Sequence, residues 1–368
     1  MSVPLDRQLA YLRLARTDQI GPVTFQRLLT VYGTPEKALD ALPELSQRGG
    51  RKRPLKAFPM PKAKAEYGQT DKLNGGYLFW GEEGYPKALQ ALPDAPPVLA
   101  AHSHRALLEK PMIAMVGARN ASAAARKMTA NLSAGLVAAG LVVVSGLARG
   151  VDGAAHQAAL ETGTVAVIGN SAAHAYPRDN ADLQSAIIEQ GLLLSENPPD
   201  TAPQASLFPR RNRIIAGLSL GVIVVEAAQR SGSLITARLG GGEQGREVFA
   251  VPNSPLDARC LGSNNLLRDG AVMTESADDV LNVLRPLMEQ REMDARTPPP
   301  SKRSEINPTQ PDDSLRALII ELMGPVPMTI DELVTAANAP VSTVHLVLLE
   351  LALADRLTQE PGGKISLI

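Results

Sequence analysis

Cysteine, aromatic rings, long apolar runs and any excess of one charge are scarce or missing in this sequence of 368 residues. Cys260 is the single cysteine, so no disulfide can form within the chain. With five scattered histidines (His102, His104, His156, His174 and His345) there is no zinc-ligand spacing, and no metal or other cofactor is implied. A reducing cytoplasm is the expected compartment. No apolar run reaches the roughly 18 residues of a membrane span, and the opening MSVPLDRQLAYL lacks the cationic, apolar and small-residue regions of a signal peptide. Aromatic residues make up 3%, and Lys+Arg number 37 against 38 Asp+Glu, a balance that by itself points to no polyanion.

What is present is length and pattern. Hydrophobic residues at 44% exclude a disordered chain, and at roughly 150 residues per domain the length suggests two to three domains. Residues 1–85 read helix, turn, helix: LDRQLAYLRLAR and FQRLLTVYG flank a break at Gly21-Pro22. Such a hairpin either presents backbone N–H groups to a phosphate or serves as a structural cap, and the cap is the plainer reading. Within it, RGGRKRPLKAFPMPKAK holds seven basic residues from Arg48 to Lys64 and no acid, with prolines that favour a loop. That run is either simply solvated or touches nucleic-acid backbone.

Residues 86–289 alternate Val/Ile-rich runs (MIAMV, LVVVSG, TVAVIGN, LLLSE, GVIVVEAA, EVFAVP, AVMTES) with helical stretches. Runs of this kind indicate a parallel sheet buried on both faces, an α/β core of extended Rossmann-like type. Residues 290–313 are polar and Pro-rich and read as a linker. Residues 314–368 give three helices and a hairpin around Gly362-Gly363, a winged helix-turn-helix. Its third helix, STVHLVLLELALADR, has no basic residue before Arg356, and residues 301–368 carry five basic groups against nine acidic ones. A recognition helix wants Arg, Lys, Asn or Gln at its N-terminal end, so protein contact or self-association is preferred over duplex reading.

In an open parallel sheet, ligands sit beyond the carboxyl ends of the strands. The candidates there are Gly117 and Arg119 after the first core strand, Ser145, Gly146 and Arg149 in SGLARG, and Ser231 and Ser233 in RSGS. The densest stretch is FPRRNR, with Phe208, Arg211, Asn212 and Arg213; residues 205–240 hold five arginines against one acid, Glu226. Phe208, flanked by Pro209 and Arg210 at the opening of a polar loop, either packs into the core or stacks on a base while arginines pair with phosphates. Each has a blander reading: Asp152 as a helix N-cap, His156 as a packed helix residue, Glu226 as the partner of an arginine, and one of Arg211 and Arg213 as structural. No Ser/His/Asp order, paired carboxylates or Walker loop appears, which suggests binding rather than turnover. Beyond Tyr85 only Tyr176, Phe208 and Phe249 are aromatic, so a multi-aromatic stacking platform is not expected in the core and phosphate contacts should dominate.

Taken together, MVGARN, SGLARGVDGAAHQAAL, GTVAVIGN, YPRDN, LLSENPP, FPRRNRIIAGLSLGVIVVEAAQRSGSLITARL, EQGREVFAVP and GSNNLLRDGA resemble the DNA-processing protein A family (DprA, also called Smf), strongly over about residues 110–285. The resemblance implies a sterile-alpha-motif-like N-terminal domain, a Rossmann core that binds single-stranded DNA, a C-terminal winged helix, a homodimer, and delivery of the RecA recombinase onto incoming strands in natural transformation. It places Gly117, Arg119, Ser145, Gly146, Phe208, Arg211 and Asn212 in the DNA pocket, with Arg213, Ser231, Ser233 and Asn264 as weaker carry-overs. There are departures. Ala118 replaces a common Ser or Thr, and Ala205 a lysine found in some members, whose phosphate contact is either absent here or moved to Arg210. Three glycines at 240–242 should loosen a helix, and Asn253 stands where glycine would take a positive φ.

A nucleotide-binding phosphoribohydrolase of related fold is the enzyme alternative, but its P-G-G-x-G-T-x-x-E motif is replaced by RSGSLITARL; a scaffold acting through its ends is a third reading. Segmenting the charge favours the first: the last 68 residues carry −4, which leaves +3 for residues 1–300.

Overall fold

The computed structural model describes residues 3–296, 312–359 and 364–368. They fall into two compact units, Glu66–Pro300 and a second made of Met1–Ala65 with Ser301–Ile368. The expected linker lies largely outside the described residues; its first part, to Arg296, continues the helix Ala277–Arg296. The Gly362-Gly363 turn is also outside them.

The larger unit is built on a nine-stranded sheet. Its strands are β1 (Gly75–Phe79), β2 (Val98–Ser103), β3 (Met112–Val116), β4 (Val142–Ser145), β5 (Thr164–Ile168), β6 (Leu192–Ser195), β7 (Gly221–Val224), β8 (Glu247–Ala250) and β9 (Val272–Met273), in the order β1-β2-β6-β5-β4-β3-β7-β8-β9. The seven strands from β3 to β9 are the seven apolar runs read from the sequence, and all are parallel. Their residues alternate between two buried layers: Val142 and Val144 pack on one face, Val143 on the other. Two further strands make the sheet mixed: β2 pairs antiparallel with β6 and β1 antiparallel with β2 at the sheet's edge, and β1 lies in a stretch read from the sequence as helical. After β6 the chain crosses back to place β7 beside β3. The connections leaving β3 and β7 therefore run in opposite directions, which opens a crevice at their carboxyl ends.

The second unit opens with three helices, Leu5–Ala15, Pro22–Tyr32 and Pro35–Arg48; Met60–Lys72 is a fourth that runs on past Ala65. Pro22 and Pro35 occupy first-turn positions where a missing N–H costs nothing, and Thr34 caps Lys37 N–H. The winged helix contributes Asp313–Leu322, Ile330–Ala337, Val341–Leu353 and the antiparallel pair β10 (Leu357–Gln359) and β11 (Ile365–Leu367). Thr329 and Glu332 form a reciprocal capping box, and Asn338 ends that helix at φ 48°. The third helix, Val341–Leu353, packs against Pro22–Tyr32 and Pro35–Arg48. Its partner is thus the chain's own N-terminal helices. Gly49 makes that approach feasible, since a Cβ there would sit 2.0 Å from the Glu350 carbonyl oxygen.

Candidate functional site

The loop after β3 carries Gly117, Ala118, Arg119 and Asn120 before Ser122 caps the helix Ala123–Ala138 through Ala125 N–H. Glu226, just past β7, is buried and accepts from Ser122 N–H (3.2 Å) and Ser122 Oγ (2.6 Å). It ties the two diverging loops together. The expected arginine partner is not the one it holds, because the helix N-terminus brings donors closer.

The SGLARG loop is fixed just as firmly. Ser145 Oγ donates to Met115 O at 2.6 Å, Asp152 Oδ2 accepts from Gly146 and Ala148 N–H at 3.2 Å each, and Asn180 Nδ2 donates to the carbonyls of Leu147 and Ala148. These bonds hold buried Leu147 at φ 57°, a conformation costly for a branched side chain. Asp152 caps the loop rather than the helix Val151–Ala159 that contains it, whose N-cap is Gly150. Burial pushes the Asp152 carboxyl up, against the pull of Arg211 and of the two N–H donors.

Arg211 lies beneath this loop, donating to Val167 O, and burial brings its guanidinium down to about 10 despite Asp152. A Cβ at Gly146 would meet that guanidinium at 2.2 Å, so any larger residue there would have to displace the buried arginine. The segment FPRRNR is helical, lying in the helix Leu207–Leu218. Pro209 fits because it falls in the first turn. Arg213 is turned inward, with Nη2 2.6 Å from Glu196 and Nε 3.3 Å from Asp94. Arg210 is exposed but lines neither part of the cleft described next.

Above these supports lies an open cleft of two lobes, 1090 and 740 Å³. Both are bordered by Arg119, Asn120, Ala148, Tyr176, Phe208 and Arg211. The larger lobe adds Arg126, Gly146, Arg149 and Arg178; the smaller adds Gly117, Asn212, Arg230, Ser231, Ser233 and Arg259. Seven arginines face three aspartates across the two, so the cleft is electropositive inside a chain of near-zero charge. Arg149 pairs with Asp179 at 2.7 Å, an exposed pair of little energy. Arg119, Arg126, Arg178 and Arg230 are exposed and enter no ion pair among the described residues.

At the ridge between the lobes, Tyr176 and Phe208 stack with centroids 5.3 Å apart and planes 18° from parallel. The Arg119 Cζ lies 5.5 Å from the Phe208 ring. Tyr176 is 42% exposed and offers its outer face to the cleft mouth. A two-ring platform therefore exists where the low aromatic content argued against one. Tyr176 comes from a loop and Phe208 from the first turn of the helix Leu207–Leu218, so only the YPRDN segment, with its single ring beside proline, signalled it.

Nine of the twelve residues singled out from sequence border this cleft. Ser145, Arg213 and Asn264 do not. Asn264 clasps Asn253 through both backbone groups (3.2 and 3.0 Å), and Asn253 Nδ2 donates to Val225 and Val251 carbonyls. Asn253 has no positive φ; it takes the place of glycine by bridging strand ends. Sequence reading assigned no site role to Tyr176, Asn120, Arg126, Arg178, Arg230 or Arg259; Asn120, Tyr176, Arg178 and Arg230 stand inside the quoted blocks, and only Arg126 and Arg259 lie outside them.

No described helix by itself is long and apolar enough to cross a membrane, and among the described residues no cluster of three His, Cys, Asp or Glu could hold a metal ion. Residues 76–285 match the DNA recombination-mediator protein A family, 6–68 the DprA-like N-terminal HHH domain and 299–363 the DprA winged helix domain. Protein Smf of Escherichia coli is 36% identical over 84% of this chain and 82% of its own length. DNA processing protein DprA of Streptococcus pneumoniae is 46% identical over 54% of this chain and 71% of its own. Among solved structures, DprA from S. pneumoniae superposes with TM-score 0.63 at 35% identity, covering 77% of this chain and 98% of that one. DNA processing protein A from Helicobacter pylori, described for its single-stranded DNA binding mode, gives TM-score 0.52 at 32% identity over 58% of this chain and 97% of that one. With a family match over more than half its length and a relative 36% identical over 84% of this chain, the chain belongs to the DNA recombination-mediator protein A family.

Proposed function

We propose that this chain binds single-stranded DNA in the cleft at the carboxyl ends of β3, β4, β5 and β7 and acts as a recombination mediator without turnover. The observation that carries the reading is the Arg119–Phe208–Tyr176 stack set among unpaired arginines. An exposed ring face suits an unstacked base, and the flanking guanidinium groups suit its phosphates. In a duplex the base faces are already covered by their neighbours, so the platform favours single strands. The relative described for single-stranded DNA binding supports the same assignment. Protection of incoming strands, loading of a RecA recombinase in natural transformation, a homodimer and a cytoplasmic site of action extend this reading along family lines.

The test is fluorescence anisotropy of labelled single-stranded and duplex oligonucleotides across a salt series. Single strands should bind more tightly, with affinity falling as salt rises. Arg119→Ala should lower the slope of log K on log salt by about 0.7 for each phosphate it contacts. Phe208→Ala should cost about 1–3 kcal/mol, roughly 5- to 150-fold in affinity. Absent or salt-independent binding overturns the proposal, and release of free base from nucleoside monophosphates would favour an enzyme.

A further inference from the structure

The seven-cation run between Arg48 and Lys64 is not part of the cleft residues, yet its structure is defined. Residues 49–59 form an extended strap between the helices Pro35–Arg48 and Met60–Lys72. Leu55 is buried, and its N–H donates to Ser46 Oγ at 2.8 Å. Phe58 is held from both sides: its N–H donates to Thr17 Oγ1 (2.9 Å) and its carbonyl accepts from Arg13 Nε (2.9 Å). At the strap's start, Arg51 Nη1 donates to Leu353 O (3.2 Å) and Arg356 Nη1 to Gly49 O (3.1 Å), so the winged helix fixes that end.

Pinning the backbone turns the apolar side chains in and leaves the cations out. Lys52, Arg53, Lys56, Lys62 and Lys64 are all exposed, and among the described residues none enters an ion pair or a side-chain hydrogen bond. Lys52, Arg53 and Lys56 lie on the strap and Lys62 and Lys64 on the first turns of the helix that follows; like charges so near in sequence and without counter-ions repel one another, and the ordered backbone restricts their separation. A polyanion relieves that cost.

We infer that this strap is a second phosphate-contact surface for single-stranded nucleic acid, separate from the cleft and read without sequence preference. The inference rests on the reading that the cleft takes single strands. The winged helix acts here as a clamp that holds the strap in place. A membrane surface fits less well, because Leu55 faces inward and no large apolar side chain is offered beside the cations.

The experiment uses the full chain with Lys52→Gln, Arg53→Gln, Lys56→Gln, Lys62→Gln and Lys64→Gln combined, and labelled oligothymidylates of about 8 and about 40 nucleotides. The short strand, which the cleft can hold alone, should bind within about twofold of the unmodified protein. On the long strand the affinity should fall about 10-fold or more and the salt slope should drop by about 2–3. A second variant exchanging Lys for Arg and Arg for Lys at the same five positions should behave like the unmodified chain. An unchanged long-strand slope overturns the inference, as does a charge-preserving variant as weak as the neutral one. Strap-dependent binding to vesicles of anionic phospholipid with no effect on the long strand also overturns it. If the unmodified chain fails on the short strand, it is the cleft reading that falls, and the long-strand comparison still judges the strap.

Discussion

Arg211 and Arg213 stand two positions apart on one helix and both point into the protein, but they answer different charges. Arg213 meets Glu196 and Asp94, so it is held by a closed set of carboxylates. Arg211 faces the capping carboxylate Asp152 with Arg119 close enough to oppose it, and it underlies the cleft floor. Removing Arg211 would therefore collapse the SGLARG loop as well as any phosphate contact, which is why Arg119 and Phe208 are the cleaner probes of binding. That a Gly/Arg loop would mark the site was legible in the sequence, because small residues and guanidinium groups at strand ends have few other uses. Which arginine points outward was not legible, since that depends on the acids that the fold brings near.

His156 gives a second prediction at this scale. The Thr164 hydroxyl donates to Val143 O at 2.8 Å, which leaves its lone pair to accept from His156 Nδ1 at 2.8 Å. The ring is fully buried, and burial, helped by Arg211, takes it from 6.5 down to about 3. A depressed folded value means that its contribution to stability is present above pH 6.5 and lost as pH falls toward 3. Each pH unit in that window should cost about 1.4 kcal/mol. Urea unfolding at several values between about pH 7 and about pH 4 should show this loss, and His156→Gln should flatten it. Equal slopes in the two proteins would place the acid sensitivity elsewhere.

At the scale of elements, the parallel strands announced themselves and the two antiparallel ones did not. Val- and Ile-rich runs buried on both faces have no competing reading, whereas β2, VLAAHS, is half Ala and Ser, and β1 opens on Gly75-Gly76 after Asn74, a run that reads as a turn. The helix Pro35–Arg48 was obscured by Pro43, which the element tolerates in its interior. The glycines at 240–242 were misread for a subtler reason. They form a π-turn, Leu239–Glu243, after the helix Ser233–Arg238, and Gly240 and Gly241 press onto the sheet. A Cβ at Gly240 would lie 2.7 Å from Val222 Cγ2 and one at Gly241 2.8 Å from Val248 Cγ2. Gly240→Ala would gain about 1 kcal/mol of helix propensity but force overpacking worth about 1–3 kcal/mol against a buried strand. Net destabilisation is expected, read as a lower urea midpoint with an unchanged slope; a stabilised variant would mean that the turn is loose after all.

For the whole molecule, the near-zero net charge hid a division of labour that follows the fold: arginines gather at the sheet's crevice, lysines and arginines along the strap and the start of the next helix, and acids in the winged helix. The third helix of the winged helix is apolar along most of its length. Along Val341–Leu353 the residues Thr343, Val344, Leu346, Val347, Leu348, Leu349, Leu351 and Leu353 are all buried, and Glu350, fully buried, pairs with Arg316 at 2.8 Å. A helix covered on every side needs the N-terminal helices as much as they need it. Unfolding of the full chain should accordingly resolve into two calorimetric transitions, one for each compact unit. Glu350→Ala removes the buried carboxylate while Asp313 still meets the Arg316 guanidinium at 2.7 Å, so it should weaken the smaller unit by about 1.5–3 kcal/mol and leave the other transition in place. Deleting residues 312–368 should abolish the smaller transition outright and expose the apolar faces of Pro22–Tyr32 and Pro35–Arg48, seen as dye binding at neutral pH, while the sheet unit still melts as before. A helical segment that keeps its own transition after that deletion would show that the two ends fold independently, and the clamp on the strap would lose its basis.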